Sequence, residues 1–266
     1  MKGFDYHRPP SVADAVALLR GHESAKLLAG GQSLLPVLKL DLAQPSDLVS
    51  LAGIQDNGLR EIRSSGNDLV IGALVTHDEV ATSAEVKRRI PGLAALAAGI
   101  GDAQVRNRGT IGGSIAHADP AADYPAAVVG LGATVATDRR RIAGDDYFTG
   151  LFQTALGADE IVTAVHFPVP ERCAYAKFRH PASKYAIVGV MVAKTAGGVR
   201  VAVTGAGARA FRVPALEGAL GANFSPDAVG AVEIGTGNLR SDGEAGAEYL
   251  AHLIGVMARR AVQACL

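Results

Sequence analysis

Two short segments carry the residue types and spacing that chemistry could use: Leu28-Ala29-Gly30-Gly31-Gln32-Ser33 and Thr110-Ile111-Gly112-Gly113-Ser114. In each, a small or apolar lead-in precedes two glycines, and a hydroxyl residue follows within two positions. Glycine permits positive φ and close backbone approach, and successive N–H groups in such a turn form a concave anion site. Ser33, Thr110 and Ser114 add hydroxyl donors. One Gly-Gly pair alone is an ordinary tight turn. Two pairs from separate parts of the chain, with Asp123 following in a Pro-bracketed stretch, read as a dinucleotide cradle that takes a pyrophosphate from both sides.

The common nucleotide signatures do not fit. G-x-x-x-x-G-K-[ST] is absent, and neither glycine pair belongs to a G-x-G-x-x-G at a strand-to-helix junction, which excludes the P-loop and Rossmann readings. Arg106 and Arg108 flank Asn107 just before the second pair, as solvated loop charges or as anchors for a cofactor or partner. His117 reads as a structural histidine between small residues rather than a covalent cofactor link or proton relay.

Composition narrows the rest. The 26 Lys and Arg balance 26 Asp and Glu, so no basic stripe marks a nucleic-acid or anionic-membrane partner. Cys173 and Cys265 are the only cysteines. They are too few for an iron–sulfur cluster or thiolate zinc site on this chain, and read as small buried hydrophobes. The seven His show no H-x-x-x-H spacing, so no metal site is expected. MKGFDYHRPP lacks an apolar signal core, and runs such as AIVGVMVA fall short of a membrane span; a cytoplasmic chain is expected.

The elements that must position the two glycine segments are partly legible. PSVADAVALLRG is a helix with Ser11 as N-cap and Gly21 as stop. Residues 26 to 29 form a short strand, a new element starts near Leu34, and a strand lies around Asp47 to Leu51. LREIRSSGNDLVIGA alternates about SSGN as a hairpin. Thr76, with Asp78 and Glu79, opens a helix to about Ile90, and PGLAALAAGIG is a second helix. RNRGTIGGSIAHADPAADYP, residues 106 to 125, reads as a loop, and Pro120 starts a helix through about Gly130. GATVAT and EIVTAVHFP are strands, and PVPER marks a boundary. Beyond it CAYAKF, AIVGVMVAKT and VRVAVTGAG form an antiparallel meander, and a helix from about Ala245 to Cys265 closes the chain.

Three segments, LLAGGQSLLPVLKL, RNRGTIGGSIAHADPAADYPAA and AYAKFRHPASKYAIVGV, closely resemble the FAD-binding medium subunit of the molybdenum hydroxylases, the group of carbon monoxide and xanthine dehydrogenases. SDGEAGAEYLAHLIGVMARRAV resembles that family's closing helix. The resemblance covers nearly the whole chain. It implies an α+β chain: a two-lobed FAD-binding domain of the PCMH/vanillyl-alcohol-oxidase type (residues 1–55 and 56–168) followed by a smaller C-terminal α+β domain (173–266) of antiparallel sheet plus helices. It also implies noncovalent FAD, a large molybdopterin subunit, a small subunit with two two-iron two-sulfur clusters, and a dimer of heterotrimers. Such a chain passes electrons from the partner's clusters through FAD to an external acceptor, and has no catalytic residue of its own.

Carried over by motif, the first cofactor stretch is Leu28, Ala29, Gly30, Gly31, Gln32, Ser33, Leu34 and Leu35. The second is Thr110, Ile111, Gly112, Gly113 and Ser114. The resemblance places Ile100 at the flavin or adenine pocket and Asp123 at a cofactor hydroxyl. Val162 and Lys177 fall nearer the flavin ring, the lysine favouring anionic reduced flavin, and Tyr185 lies where the ring face is covered. Without the resemblance, Val162 is a core strand residue and Lys177 a surface lysine. Two departures stand out: Asp41 sits where relatives usually carry Arg, and Ser114 where xanthine dehydrogenases have Asn. Other readings are a stand-alone flavin oxidase or dehydrogenase, against which there is no acid–base pair near the glycines, and an assembly module that has lost FAD.

Overall fold

The computed structural model describes residues 3–241 and 245–266; Asp242, Gly243 and Glu244 of the segment resembling the closing helix lie outside the described residues. The chain begins with β1 (Asp5–His7), α1 (Val12–Gly21), β2 (Lys26–Leu28), α2 (Leu34–Lys39) and β3 (Asp47–Ser50). The strands form a parallel sheet in the order β1-β3-β2. Ser11 caps α1 by accepting the Asp14 N–H. Ala15 and Val16 of α1 pack with Val49, Leu51, Ile54, Leu74 and Ile161 into a small core, so this sheet is seated on the segment that follows it.

Next come β4 (Ile62–Ser65) and β5 (Asp68–Gly72), the expected hairpin, with Gly66 at φ +59 in its turn. The helix expected from Thr76 to Ile90 is two: α3 (His77–Thr82) and α4 (Ala84–Arg89). Ser83 between them has an extended ψ of 124° and accepts the Val86 N–H, so it caps a new helix rather than continuing the old one. There follow α5 (Pro91–Ala98), α6 (Ala103–Arg108), α7 (Ile111–His117), α8 (Tyr124–Gly130), β6 (Thr134–Thr137), β7 (Arg141–Ala143), α9 (Gly144–Tyr147), β8 (Phe148–Gly150), β9 (Gln153–Thr154) and β10 (Val162–Pro168). An antiparallel sheet in the order β4-β5-β10-β6-β7 backs these helices.

The stretch 106–125 is therefore largely helical, not a loop. Asp102 accepts the Val105 N–H and Thr110 accepts the Gly113 N–H. These two side-chain caps stabilise short helices, the second of which, α7, carries two glycines that disfavour it.

The last segment carries β11 (Arg172–Arg179), β12 (Ala186–Thr195), β13 (Gly198–Thr204), β14 (Phe211–Arg212), α10 (Pro214–Ala222), α11 (Pro226–Gly230) and α12 (Ala247–Cys265). Its strands form the expected antiparallel meander. The apolar run in β12 has no polar face because both faces are covered. Val188, Val190 and Val192 join the core under α12, whereas Met191 and Ala193 join the one shared with α5 and α8. Among the described residues no helix is long and apolar enough to cross a membrane.

Candidate functional site

A cleft of about 570 Å³ lies between the first sheet and the segment carrying α6, α7 and the start of β10, a volume suited to a cofactor. Its walls include Ala29 through Leu34, Thr110, Gly112, Gly113 and Ser114, so the fold brings the two glycine segments to one place. Ile100, Asp123, Val162 and Tyr185 line it as well. Leu28, Leu35, Ile111 and Lys177 do not: Ile111 is fully buried in the core, and Lys177 lies behind Asp123.

The glycines act differently from a pair of matched turns. Gly31 has φ +75, which disfavours any side chain. Gly30 is required by approach: a Cβ there would stand 2.0 Å from the Arg108 carbonyl oxygen, so one segment rests main chain to main chain on the lead-in to the other. Gly112 is similar, its added Cβ meeting the Ala73 side chain at 2.5 Å. Gly113 sits in the first turn of α7, and its added Cβ would point to Thr110 Oγ1 at 2.9 Å and Ala29 Cβ at 3.5 Å, between the two walls.

The backbone donors also divide unequally. The N–H groups of Ile111, Gly112 and Gly113 are taken by Val75 O, Ala73 O and Thr110 Oγ1. The second segment therefore offers no row of free amides, contrary to the cradle inferred from spacing; it offers the Ser114 hydroxyl and clearance. Among the described residues, the N–H groups of Gly30, Gly31, Gln32, Ser33 and Leu34 have no protein acceptor. Five amides in a glycine turn running into a helix start are what an anionic group needs.

Behind the opposite wall stands a buried polar network. Asp123, 5% exposed, accepts from Tyr175 Oη at 2.5 Å and Lys177 Nζ at 2.9 Å. The same ammonium donates to the carbonyls of Gly99 and Lys184, next to the cleft residues Ile100 and Tyr185. Burial pushes the Asp123 carboxyl above its usual value, and Lys177 and Tyr175 pull it back. Burial beside the same carboxylate raises the Tyr175 phenol strongly. The Lys177 charge is thus met inside the protein. Tyr175 was not singled out from sequence, though the strand period puts it on the same face as Lys177, and Gly189 is the residue paired across from Lys177. Gly189 makes the room: a Cβ there would lie 2.1 Å from Tyr175 Oη.

His77 was missed altogether. It is 5% exposed, lines the cleft and has an unpartnered Nδ1. Burial and then the nearby Arg106 charge lower its pKa to about 4, so the ring is neutral near pH 7. Arg106 is engaged with the carbonyls of Ile100 and Gly101. His117 lines the cleft with its ring 5.3 Å from that of Phe152. Val162 reaches the cleft at a bulge where the β10–β6 register shifts.

A family model described as the FAD binding domain in molybdopterin dehydrogenase matches residues 2–170. The chain belongs to this family. It is 38% identical over 271 residues to the nicotine 6-hydroxylase medium subunit of Paenarthrobacter nicotinovorans, covering 97% of this chain and 95% of that one. It is 37% identical over 281 residues to the carbon monoxide dehydrogenase medium chain of Hydrogenophaga pseudoflava, covering 98% and 96%. Reconstituted CO dehydrogenase from Oligotropha carboxidovorans superimposes with a TM-score of 0.91 at 35% identity, covering 99% of this chain and 98% of that chain. Family and α+β fold are those the sequence motifs implied, and the matched FAD-binding region ends just before β11.

Proposed function

We propose that this chain is the FAD-binding, electron-transferring medium subunit of a three-subunit molybdenum hydroxylase. A large subunit would hold molybdopterin and oxidise substrate, and a small one would carry two two-iron two-sulfur clusters. The whole would be a cytoplasmic dimer of heterotrimers. The observation that carries the reading is the row of five free amides at Gly30–Leu34 facing Gly113 and Ser114 across the cleft.

The residues present fit FAD. The amides of Gly30 through Leu34 would hold the pyrophosphate, with the Ser33 and Ser114 hydroxyls beside them. Gly113 keeps the space between the walls open. Asp123, oriented by Tyr175 and Lys177, would accept from a cofactor hydroxyl. Ile100 and Val162 supply apolar contact, and Tyr185 stands half exposed at the rim. When bound, FAD supplies the interconversion of one-electron and two-electron transfer. Lys177 acts by holding Asp123 and the two neighbouring carbonyls, since its own charge is neutralised. Both cysteines are protonated structural groups: burial raises Cys173 to about 11 and Cys265 to about 12. The clusters that deliver electrons therefore belong to a partner. The division at 1–55, 56–168 and 173–266 belongs to this reading, each part having a sheet of its own.

The test is an absorption spectrum of the purified chain, with the released cofactor identified after acid or heat and FAD titrated into any colourless preparation. Released or titratable FAD supports the reading. A chain that neither carries nor takes up FAD overturns it, and turnover of an organic substrate by the isolated chain would favour a stand-alone flavoenzyme.

A further inference from the structure

Away from the cleft, the first sheet gathers two imidazoles and a carboxylate from three different elements. His7 ends β1, His22 is the C-cap of α1, and Asp47 starts β3. His7 Nε2 lies 2.7 Å from Asp47 Oδ1, and His22 Nδ1 lies 3.2 Å from Oδ2. All three donor atoms fall within 4.8 Å of one another. The rings are 5.7 Å apart and tilted by 39°, so neither stacks on the other.

We propose that His7, His22 and Asp47 form a binding site for a divalent first-row transition metal of the Zn²⁺ class. Two imidazole nitrogens and one carboxylate oxygen are borderline donors that suit Zn²⁺ and Co²⁺ rather than Mg²⁺ or Ca²⁺. Bonds of about 2.0–2.1 Å in tetrahedral geometry separate ligand atoms by roughly 3.3 Å, which the present spacing reaches by small side-chain rotations. On binding, the ring nitrogens that face the carboxylate would exchange their hydrogen bonds to Asp47 for bonds to the metal, their protons passing to solvent or to the far nitrogen of each ring. His22 is 42% and His7 29% exposed at the side chain, which leaves a fourth position open to water.

The support around the carboxylate is that of a held ligand. Asp47 is 2% exposed. Ser46 Oγ donates to its Oδ2 at 2.5 Å, and Ser24 Oγ donates to Ser46 Oγ at 2.8 Å. Such outer partners fix the orientation of a ligating carboxylate. The metal would tie the three-residue edge strand β1 and the end of α1 to the central strand β3. The opposite edge strand, β2, leads directly into Ala29 and Gly30. The site thus staples the sheet that presents the first glycine segment.

The test titrates ZnCl₂ into the full chain by calorimetry and records the visible spectrum with CoCl₂, comparing wild type with His22→Gln, His7→Gln and Ser46→Ala. None of these readouts involves flavin, so failure here leaves the cofactor reading untouched. The expected result is one equivalent bound, strong four-coordinate Co²⁺ bands, a metal-dependent rise in melting temperature, at least tenfold weaker binding in either histidine variant and about tenfold weaker binding in Ser46→Ala. His22 is exposed enough that its replacement preserves folding, which a circular dichroism melt checks. Absence of stoichiometric binding, a weak six-coordinate cobalt spectrum, or equal affinity in wild type and His22→Gln would overturn the proposal.

Discussion

Replacing Lys177 by Met would isolate a buried carboxylate. Lys177 and Asp123 side chains are each 5% exposed. The substitution keeps the aliphatic stem but removes the donor to Asp123, to Gly99 O and to Lys184 O. Breaking a buried ion pair by deleting one partner costs about 3–5 kcal/mol. At roughly 2–4 °C per kcal/mol for a chain of this size, the melting temperature should fall by roughly 6–20 °C. The loss should also depend on pH. Asp123 already lies above 3.8 in the folded chain through burial, and without Lys177 it rises further. A carboxyl raised on folding adds stability that is complete below its unfolded pKa and is lost as pH climbs through the folded one. The deficit against wild type should accordingly be small near pH 4 and larger at pH 8. The double variant Lys177→Met/Asp123→Asn, which retains an acceptor for Tyr175, should recover most of the loss. Thermal melts followed by circular dichroism at both pH values provide the assay. A loss under 1 kcal/mol, a pH-independent loss, or no recovery in the double variant would refute the idea that the pair exists to neutralise Asp123.

Gly113→Val should abolish flavin retention while the fold persists, because its side chain occupies the gap toward Ala29 and Thr110 Oγ1; equal FAD content by absorbance would show that the gap is not the seat. Gly30→Ala should cost about 1–3 kcal/mol or more, since its Cβ collides with the Arg108 carbonyl, and a denaturant midpoint equal to wild type would count against that contact. His77 is depressed from 6.5 to about 4, so it contributes roughly 3 kcal/mol that is present above pH 6.5 and lost as pH falls toward 4. His77→Gln should flatten that acid limb in a stability-versus-pH series. Saturating FAD at a hundredfold excess over its dissociation constant should add about 2.7 kcal/mol to wild type, measured as a shift in the urea midpoint, and none to Gly113→Val.

Strongly patterned elements were readable in the chain itself. The Ser11-capped helix, the hairpin about Gly66 and the meander from Arg172 to Thr204 all follow from local caps and strand period. The stretch from Arg106 to Pro125 misleads because Gly112 and Gly113 suppress helix propensity in α7, where the Thr110 capping bond offsets it, and because the glycine-free α6 just before it rests on its Asp102 cap. Residues of the cleft wall in the glycine segments were accessible through their type. His77 and Tyr175 were not, since what marks them is a glycine elsewhere that leaves them room: Gly109, where a Cβ would lie 2.5 Å from His77 Nε2, and Gly189. The grouping of His7, His22 and Asp47 is likewise invisible along the chain, because only the parallel pairing of β1 with β3 brings the first and last together.

The contact at Gly30 has a consequence for redesign. What limits it is a carbonyl oxygen, so no choice of side chain at position 108 can relieve an added methyl group at position 30. The two positions are uncoupled in one direction only. The exposed Arg108 side chain takes no part in that contact, whereas any attempt to widen the seat from Gly30 must begin by moving the backbone that precedes Thr110.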